Sequence, residues 1–224
     1  MIRIPSGEFW MGSEGHYEWE SPRHRVELDS FEICATSVTC AEYAAFLKDT
    51  GHEAPKGWGE PHLSAPDQPV VGVNWFDAVS YCEWLSGKLG RLFRLLTEAE
   101  REKACRGGED ELEYAWGNEA PESLPYFQGE WLGPRRVAEW HANGYGLFNM
   151  GDNVHEWCLD WYASDYYAVS PAKNPKGPES GTRRISRGGS WRHLVKGSRA
   201  AHRSSLPPEY RYLDYGFRLA SVEN

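Results

Sequence analysis

The sequence has no apolar run near the roughly 20 residues that a helix needs to cross a bilayer, and Met1-Ile2-Arg3-Ile4-Pro5 lacks the apolar stretch of a secretory signal. A soluble, cytoplasmic protein that does not bind membrane is therefore expected, acting alone or as the tail module of a longer chain. Positive charge is not in excess either: 24 Lys and Arg stand against 33 Asp and Glu, a formal −9. That balance argues against nucleic acid as a partner. Cys-x-x-Cys is missing, and the five cysteines (34, 40, 82, 105 and 158) form an odd, widely spaced set. Neither a zinc knuckle nor a disulfide framework is indicated, and free buried thiols are expected. There is no internal repeat or low-complexity tract, and hydrophobic periodicity almost vanishes from about residue 107 to 182.

What is abundant is rings and glycines: 11 Trp, 12 Tyr and 23 Gly in 224 residues. Hydrophobic residues at 40% and charged residues at 25% are ordinary globular usage, which excludes disorder and coiled coil. Flat rings filling irregular gaps, with Gly supplying turn geometry, point to a fold with little regular secondary structure. A chain of this mass buries about 70% of its unfolded surface. One large domain over residues 1–224 can therefore hold a core without staples.

Three helices are expected. Thr39-Cys40-Ala41-Glu42 has capping-box spacing, with Gly51 placed to stop that helix. Asn74-Trp75-Phe76-Asp77 opens a second, with Ala78, Cys82 and Leu85 recurring on one face before Gly87. Thr97-Glu98-Ala99-Glu100 opens a third, ended by Gly107-Gly108. Residues 8–11, 25–28, 70–73, 183–187 and 217–219 read as short strands.

A series of motifs then occurs in order: Met11-Gly12-Ser13, Pro69-Val70-Val71 through Trp75-Phe76-Asp77-Ala78, Leu96-Thr97-Glu98-Ala99-Glu100, Trp116-Gly117-Asn118, Asn143-Gly144-Tyr145-Gly146-Leu147-Phe148-Asn149-Met150, Asn153-Val154-His155-Glu156-Trp157, Arg187-Gly188-Gly189-Ser190-Trp191 and Gly216-Phe217-Arg218. Together they resemble the formylglycine-generating, or sulfatase-modifying factor, family over essentially the whole chain. The resemblance implies an α+β fold of the C-type-lectin-like kind, with few helices, small sheets and much irregular loop. In that family two cysteines just beyond the Gly-Gly-Ser turn bind copper(I) and oxidise a sulfatase cysteine. The matching stretch here, Arg192-His193-Leu194-Val195-Lys196-Gly197-Ser198, holds no cysteine, and none follows Cys158. Soft Cu(I) needs thiolate or thioether ligands, so copper and the formylglycine-generating activity are not expected to carry over. His193, near the first missing cysteine, is the one catalytic candidate. Cys82 and Cys105 fall on disulfide positions of vertebrate members, but Leu219 and Ala200 stand where their partners would be.

The resemblance also implies a structural calcium ion, held by the side chains of Asn149 and Glu156 and the backbone carbonyls of Asp152 and Val154. A hard cation suits such an oxygen-rich loop; the plainer reading is that Asn149 and Glu156 hydrogen-bond turn backbone. Residues 183–218 carry nine Lys and Arg against two acids, Glu209 and Asp214. Arg187, Arg199, Arg203 and Arg218 are assigned to scaffold, clamping carboxylates such as Asp77, Glu98 or Glu100. Arg192, His193, Lys196, His202, Tyr210, Tyr212 and Tyr215 are left for ligand contact, with Pro207-Pro208 as a turn. The tryptophans 75, 84, 116, 157, 161 and 191 read as core. Tyr166 and Tyr167 join the later tyrosines as contact surface.

The expected function is thus a calcium-stabilised module binding a protein, a peptide or a small polar or anionic ligand. One alternative is an iron- or copper-dependent oxidoreductase acting on a peptide or small thiol, which requires His155, His193 or His202 to converge with Asp or Glu. The segment between Trp191 and Gly216 also resembles those of lectin-like proteins that retroelements diversify. A helper subunit docking on a true family enzyme is a further alternative.

Overall fold

Three reciprocal capping boxes start three helices, α1 (Cys40–Thr50), α2 (Trp75–Leu89) and α3 (Glu98–Arg106), in a computed structural model that describes residues 1–193 and 197–221. Thr39, Asn74 and Thr97 each accept the N3 amide, while Glu42, Asp77 and Glu100 accept the cap's own N–H. Gly51, Gly90 and Gly107 end them in the left-handed conformation (φ 68°, 64° and 64°). Gly87, expected as the end of the second helix, lies inside it. One interior glycine costs only about 1 kcal/mol, and the helix buries Ala78, Tyr81 and Cys82.

Among the described residues ten short strands make three sheets: β1 (Ile2–Ile4), β2 (Gly7–Met11), β3 (His24–Leu28), β4 (Phe31–Ile33), β5 (Phe93–Leu95), β6 (His155–Trp161), β7 (Arg184–Arg187), β8 (Arg203–Leu206), β9 (Tyr215–Phe217) and β10 (Leu219–Ser221). Their orders are β1-β4-β10-β5, β2-β3 and β8-β7-β6-β9. The fold is α+β, with small sheets and long loops. Residues 70–73 are buried but form no strand; the Val70 amide donates to the Val38 carbonyl at 2.9 Å instead, while the Val38 amide donates to the Phe217 carbonyl. Residues 217–219 are split at Arg218, which leaves one sheet and enters another. Strand β6, in the stretch without periodicity, is with β7 one of the two inner strands of the site-bearing sheet.

One core cluster gathers Ile4, Phe9, Val26, Leu96 and Leu147 beneath the first sheets. A second packs Tyr43, Phe46, Tyr81, Trp157 and Phe217 between α1, α2 and β6. Of the expected core tryptophans Trp157 is fully buried and the other five are half-buried. Among the described residues no helix is long and apolar enough to cross a membrane.

Candidate functional site

Strand β6 pairs antiparallel with β7 and parallel with β9, setting His155 opposite Tyr215 and Glu156 opposite Gly216. The His155 and Tyr215 rings therefore meet, with centroids 4.9 Å apart. Beyond β7 the chain turns through Gly188 (φ 84°) and Gly189. A Cβ on Gly189 would stand 2.7 Å from the Gly151 carbonyl, so only glycine lets this turn lie on the 149–154 loop. The turn delivers Ser190, whose hydroxyl donates to Asp214 Oδ2 at 2.8 Å. The Asp214 carbonyl accepts the His155 amide at 2.9 Å, which ties the turn to the start of β6.

His155 Nδ1 lies at the Gly188 carbonyl and donates its proton there. Nε2 is then the basic nitrogen. Burial lowers the pKa of His155 to about 4, against the opposing charge of Asp214 and the Gly188 hydrogen bond, so the ring is neutral at pH 7. His193 sits above it, ring centroids 6.1 Å apart, with Nε2 3.9 Å from Asp214 Oδ2. Arg192 Nη1 is also 3.9 Å from Asp214. Tyr215, Tyr212 and Tyr210 continue the line of rings at centroid spacings of 6.0 and 6.1 Å. The line of rings thus runs from exposed phenols (Tyr212 is 42% exposed) to the buried His155 imidazole.

Of the expected ligand residues, Arg192, His193, Tyr210, Tyr212 and Tyr215 come together. Tyr215 is buried and hydrogen-bonded to Ser186 and Ser204, and so does not present an exposed contact surface. His202 points away: Nδ1 is 3.5 Å from Glu20 and the ring packs against Tyr17 at 5.8 Å. Lys196 lies outside the described residues. Tyr167 is core, its hydroxyl donating to Glu98, and does not join a contact surface; Tyr166 is half-buried against the same core. Pro207 and Pro208 do form a turn, closed by Tyr210 N–H to Pro207 O at 3.1 Å. His155, Ser190 and Asp214 were not among the expected ligand contacts. One signal for Asp214 was available, since it is one of only two acids in the cationic stretch.

The arginines assigned to scaffold do clamp loops, on Glu98 as expected and on Glu20, Glu102 and Glu156 in place of Asp77 and Glu100. Arg187 bonds both Glu98 and Glu102, Arg203 bonds Glu98, Arg199 forks onto Glu20 at 2.7 Å, and Arg218 bonds Glu156. Asp77 is taken by Arg211 and His52, and Glu100 by Arg94. Burial works to raise the Glu20 pKa, but hydrogen bonds from His202, Arg199 and Ser13 outweigh it and hold the carboxyl at about 2.

The four residues matched to calcium ligands also lie together, but their side chains are engaged. Glu156 Oε2 accepts from Arg101 Nε at 2.7 Å, Oε1 from Arg218 Nε at 3.1 Å and from the Ser37 hydroxyl at 2.6 Å. Asn149 Nδ2 donates to Asp152 Oδ2 at 2.9 Å and its Oδ1 accepts the Ala138 amide at 3.1 Å. A divalent cation at Glu156 would stand beside two guanidinium groups; as placed, this donor set does not fit one. Among the described residues no group of three or more His, Cys, Asp or Glu side chains is gathered for a metal.

The class defined by this architecture is a loop-rich α+β scaffold whose Gly-Gly-Ser turn packs on the loop ahead of β6. The chain belongs to the family described as the sulfatase-modifying factor enzyme 1-like domain, matching it over residues 1–222. It is 34% identical to the formylglycine-generating enzyme of Streptomyces coelicolor over 285 aligned positions, covering 98% of this chain and 88% of that enzyme. Two solved structures resemble the fold with TM-scores of 0.84: PvdO from Pseudomonas aeruginosa (28% identity, 99% of this chain and 93% of that one) and Treponema denticola variable protein 1 (26%, 99% and 94%).

Proposed function

We propose that the cleft between the Gly188-Gly189 turn and the Tyr210–Tyr215 segment binds a peptide or small polar or anionic ligand, without the copper-dependent oxidation of cysteine. The observation that carries this reading is the chemistry of the cleft's side chains. His155, His193, Ser190, Asp214 and the tyrosines offer nitrogen and oxygen, whereas Cu(I) at such a site needs sulfur. No cysteine follows Cys158 in the sequence, and all five cysteines are free thiols, four of them buried. Burial pushes the Cys40 and Cys82 thiols up to about 12, far from thiolate character.

Incubation with copper, oxygen and a sulfatase-type cysteine peptide should yield no aldehyde by mass spectrometry; aldehyde formation would sink the reading. Fluorescence anisotropy with a labelled pool of acidic heptapeptides should show saturable binding, weakened about tenfold by Arg192→Ala or Tyr212→Ala. Structural calcium at Asn149, Asp152, Val154 and Glu156 fits this proposal only in a form in which Glu156 gives up a guanidinium.

A second reading rests on His193 lying near both His155 (ring centroids 6.1 Å apart) and Asp214 (3.9 Å), the residue types of a two-histidine, one-carboxylate iron site though not gathered as one here. His193, exposed on its turn, would have to swing inward to complete it. Iron-dependent oxygen consumption that disappears in His193→Ala would favour this reading over the binding one.

A further inference from the structure

Away from the cleft, a cavity of about 630 Å³ opens among the side chains of residues 112–144. Its walls include Trp116, Trp140, Tyr126, Leu124, Pro125 and Glu119. The two half-buried indoles stand 5.3 Å apart with their planes at 55°, a V around the open volume. Each is backed by a flat-stacked phenol: Tyr114 on Trp116 at 4.9 Å and 6°, Tyr126 on Trp140 at 4.4 Å and 5°. The Trp116 indole is also pinned by donating to the Glu119 carbonyl at 3.0 Å. Immobilised indoles around an open volume present π-electron density to whatever enters, at little cost in side-chain entropy.

The surrounding charge selects the occupant. Residues 107–140 carry eight Asp and Glu but only two Arg. Both arginines are engaged: Arg136 pairs with Asp67 at 3.3 Å, and Arg135 pairs with Glu139 at 3.5 Å while lying over Tyr126 and Trp131, 4.5 and 4.0 Å from their centroids. The ring that backs Trp140 therefore already accepts one cation. Among the described residues no Lys or Arg lines the cavity, and the Glu119 carboxylate stands exposed in its wall. A primary ammonium would shed strongly bound water for few acceptors, whereas a methylated one is weakly hydrated and loses less.

We infer that this cavity is a binding site for an organic cation of the quaternary or methylated ammonium class, separate from the cleft. The Trp116 and Trp140 faces hold the cationic head, and Glu119 supplies the opposing charge.

Calorimetric titration of the whole protein with choline, against its neutral isostere 3,3-dimethylbutan-1-ol, tests this at pH 8. Choline should saturate one site and bind about fivefold more tightly than the neutral alcohol, the scale of a partly desolvated cation–π contact. Glu119→Gln, at an exposed side chain, should weaken choline about threefold and leave the alcohol unchanged; Trp140→Leu should weaken choline about tenfold. His193→Ala, in the cleft, should change nothing. Equal affinity for choline and the alcohol, no saturation, indifference to Glu119→Gln, or loss of binding in His193→Ala would each overturn the inference.

Discussion

Arg218 and Glu156 meet in the interior with Nε 3.1 Å from Oε1, and the arginine of this pair is the residue that separates β9 from β10. Its other nitrogens donate to the carbonyls of Cys34, Ala35 and Phe148 at 3.1, 2.6 and 2.6 Å. One side chain thus joins the sheet carrying the cleft to the sheet containing β4 and to the loop ahead of β6. Arg101 closes the far side of the same carboxylate and also donates to the Met150 carbonyl at 2.7 Å. Where regular backbone ladders are scarce, these forks satisfy loop carbonyls that would otherwise be buried without donors.

Removing one partner from this network should be costly. Arg218→Met leaves Glu156 and three loop carbonyls short of donors, and about 3–5 kcal/mol of stability should be lost in urea denaturation. Arg218→Lys should rescue little, because a single ammonium cannot span four acceptors. Melting indistinguishable from wild type in Arg218→Met would mean the network is ornamental.

The same geometry predicts indifference to calcium. With Glu156 already bonded to two guanidinium groups and Ser37, a chelator should leave the melting temperature unchanged, and metal analysis should find no stoichiometric calcium. A drop of several degrees on chelation, restored by calcium alone, would show that one arginine leaves and that the cation holds the loop.

Legibility in the sequence followed the range of the interactions. Capping boxes act over four residues, and all three helix starts could be read from them. The second helix end could not, because Gly87 and Gly90 offer the same local signal and the turn between them is exposed, with Leu89 at 59%, so no pattern of burial marks the true end. Strand β6 was hidden because it buries His155, Glu156 and Asp160 alongside Trp157 and Cys158, which erases the alternation of a half-buried strand. At the cleft, His193 and Tyr212 could be singled out as polar groups near a turn. Ser190, His155 and Asp214 are united by a parallel β6–β9 pairing some 60 residues apart in sequence, which leaves no local trace. His202 was misplaced because its neighbour Arg203 starts β8 toward Glu98, turning the imidazole to Glu20.

The neutral state of His155 sets a pH dependence. Its folded pKa of about 4 lies below the ordinary imidazole value, so the unfolded chain binds the extra proton between about pH 6.5 and 4. This group's contribution to stability is therefore fully present above pH 6.5 and is lost as pH falls through that window. Proton NMR should find one histidine titrating near 4, with Nδ1 bearing the hydrogen. A His155 midpoint near 6.5 would mean that the imidazole is solvated and that the cleft floor is open to water.

Asp160 carries the opposite sign. Burial first, and the charge of Glu98 second, raise its carboxyl to about 8, although Oδ2 accepts the Glu98 amide at the start of α3 at 2.9 Å and Arg184 lies within electrostatic reach. Between about pH 3.8 and 8 the folded protein holds a proton that the unfolded chain has released, so this group costs stability progressively as pH rises through that interval. Asp160→Asn keeps the volume and an acceptor for the Glu98 amide while removing the ionisation. The variant should therefore gain on the wild type with pH, by on the order of a few kcal/mol between pH 5 and pH 8 in paired denaturant titrations. An advantage that does not change with pH would place an ordinary ionised carboxylate at the head of α3, stabilised there by the helix N-terminus and Arg184 more than burial opposes it.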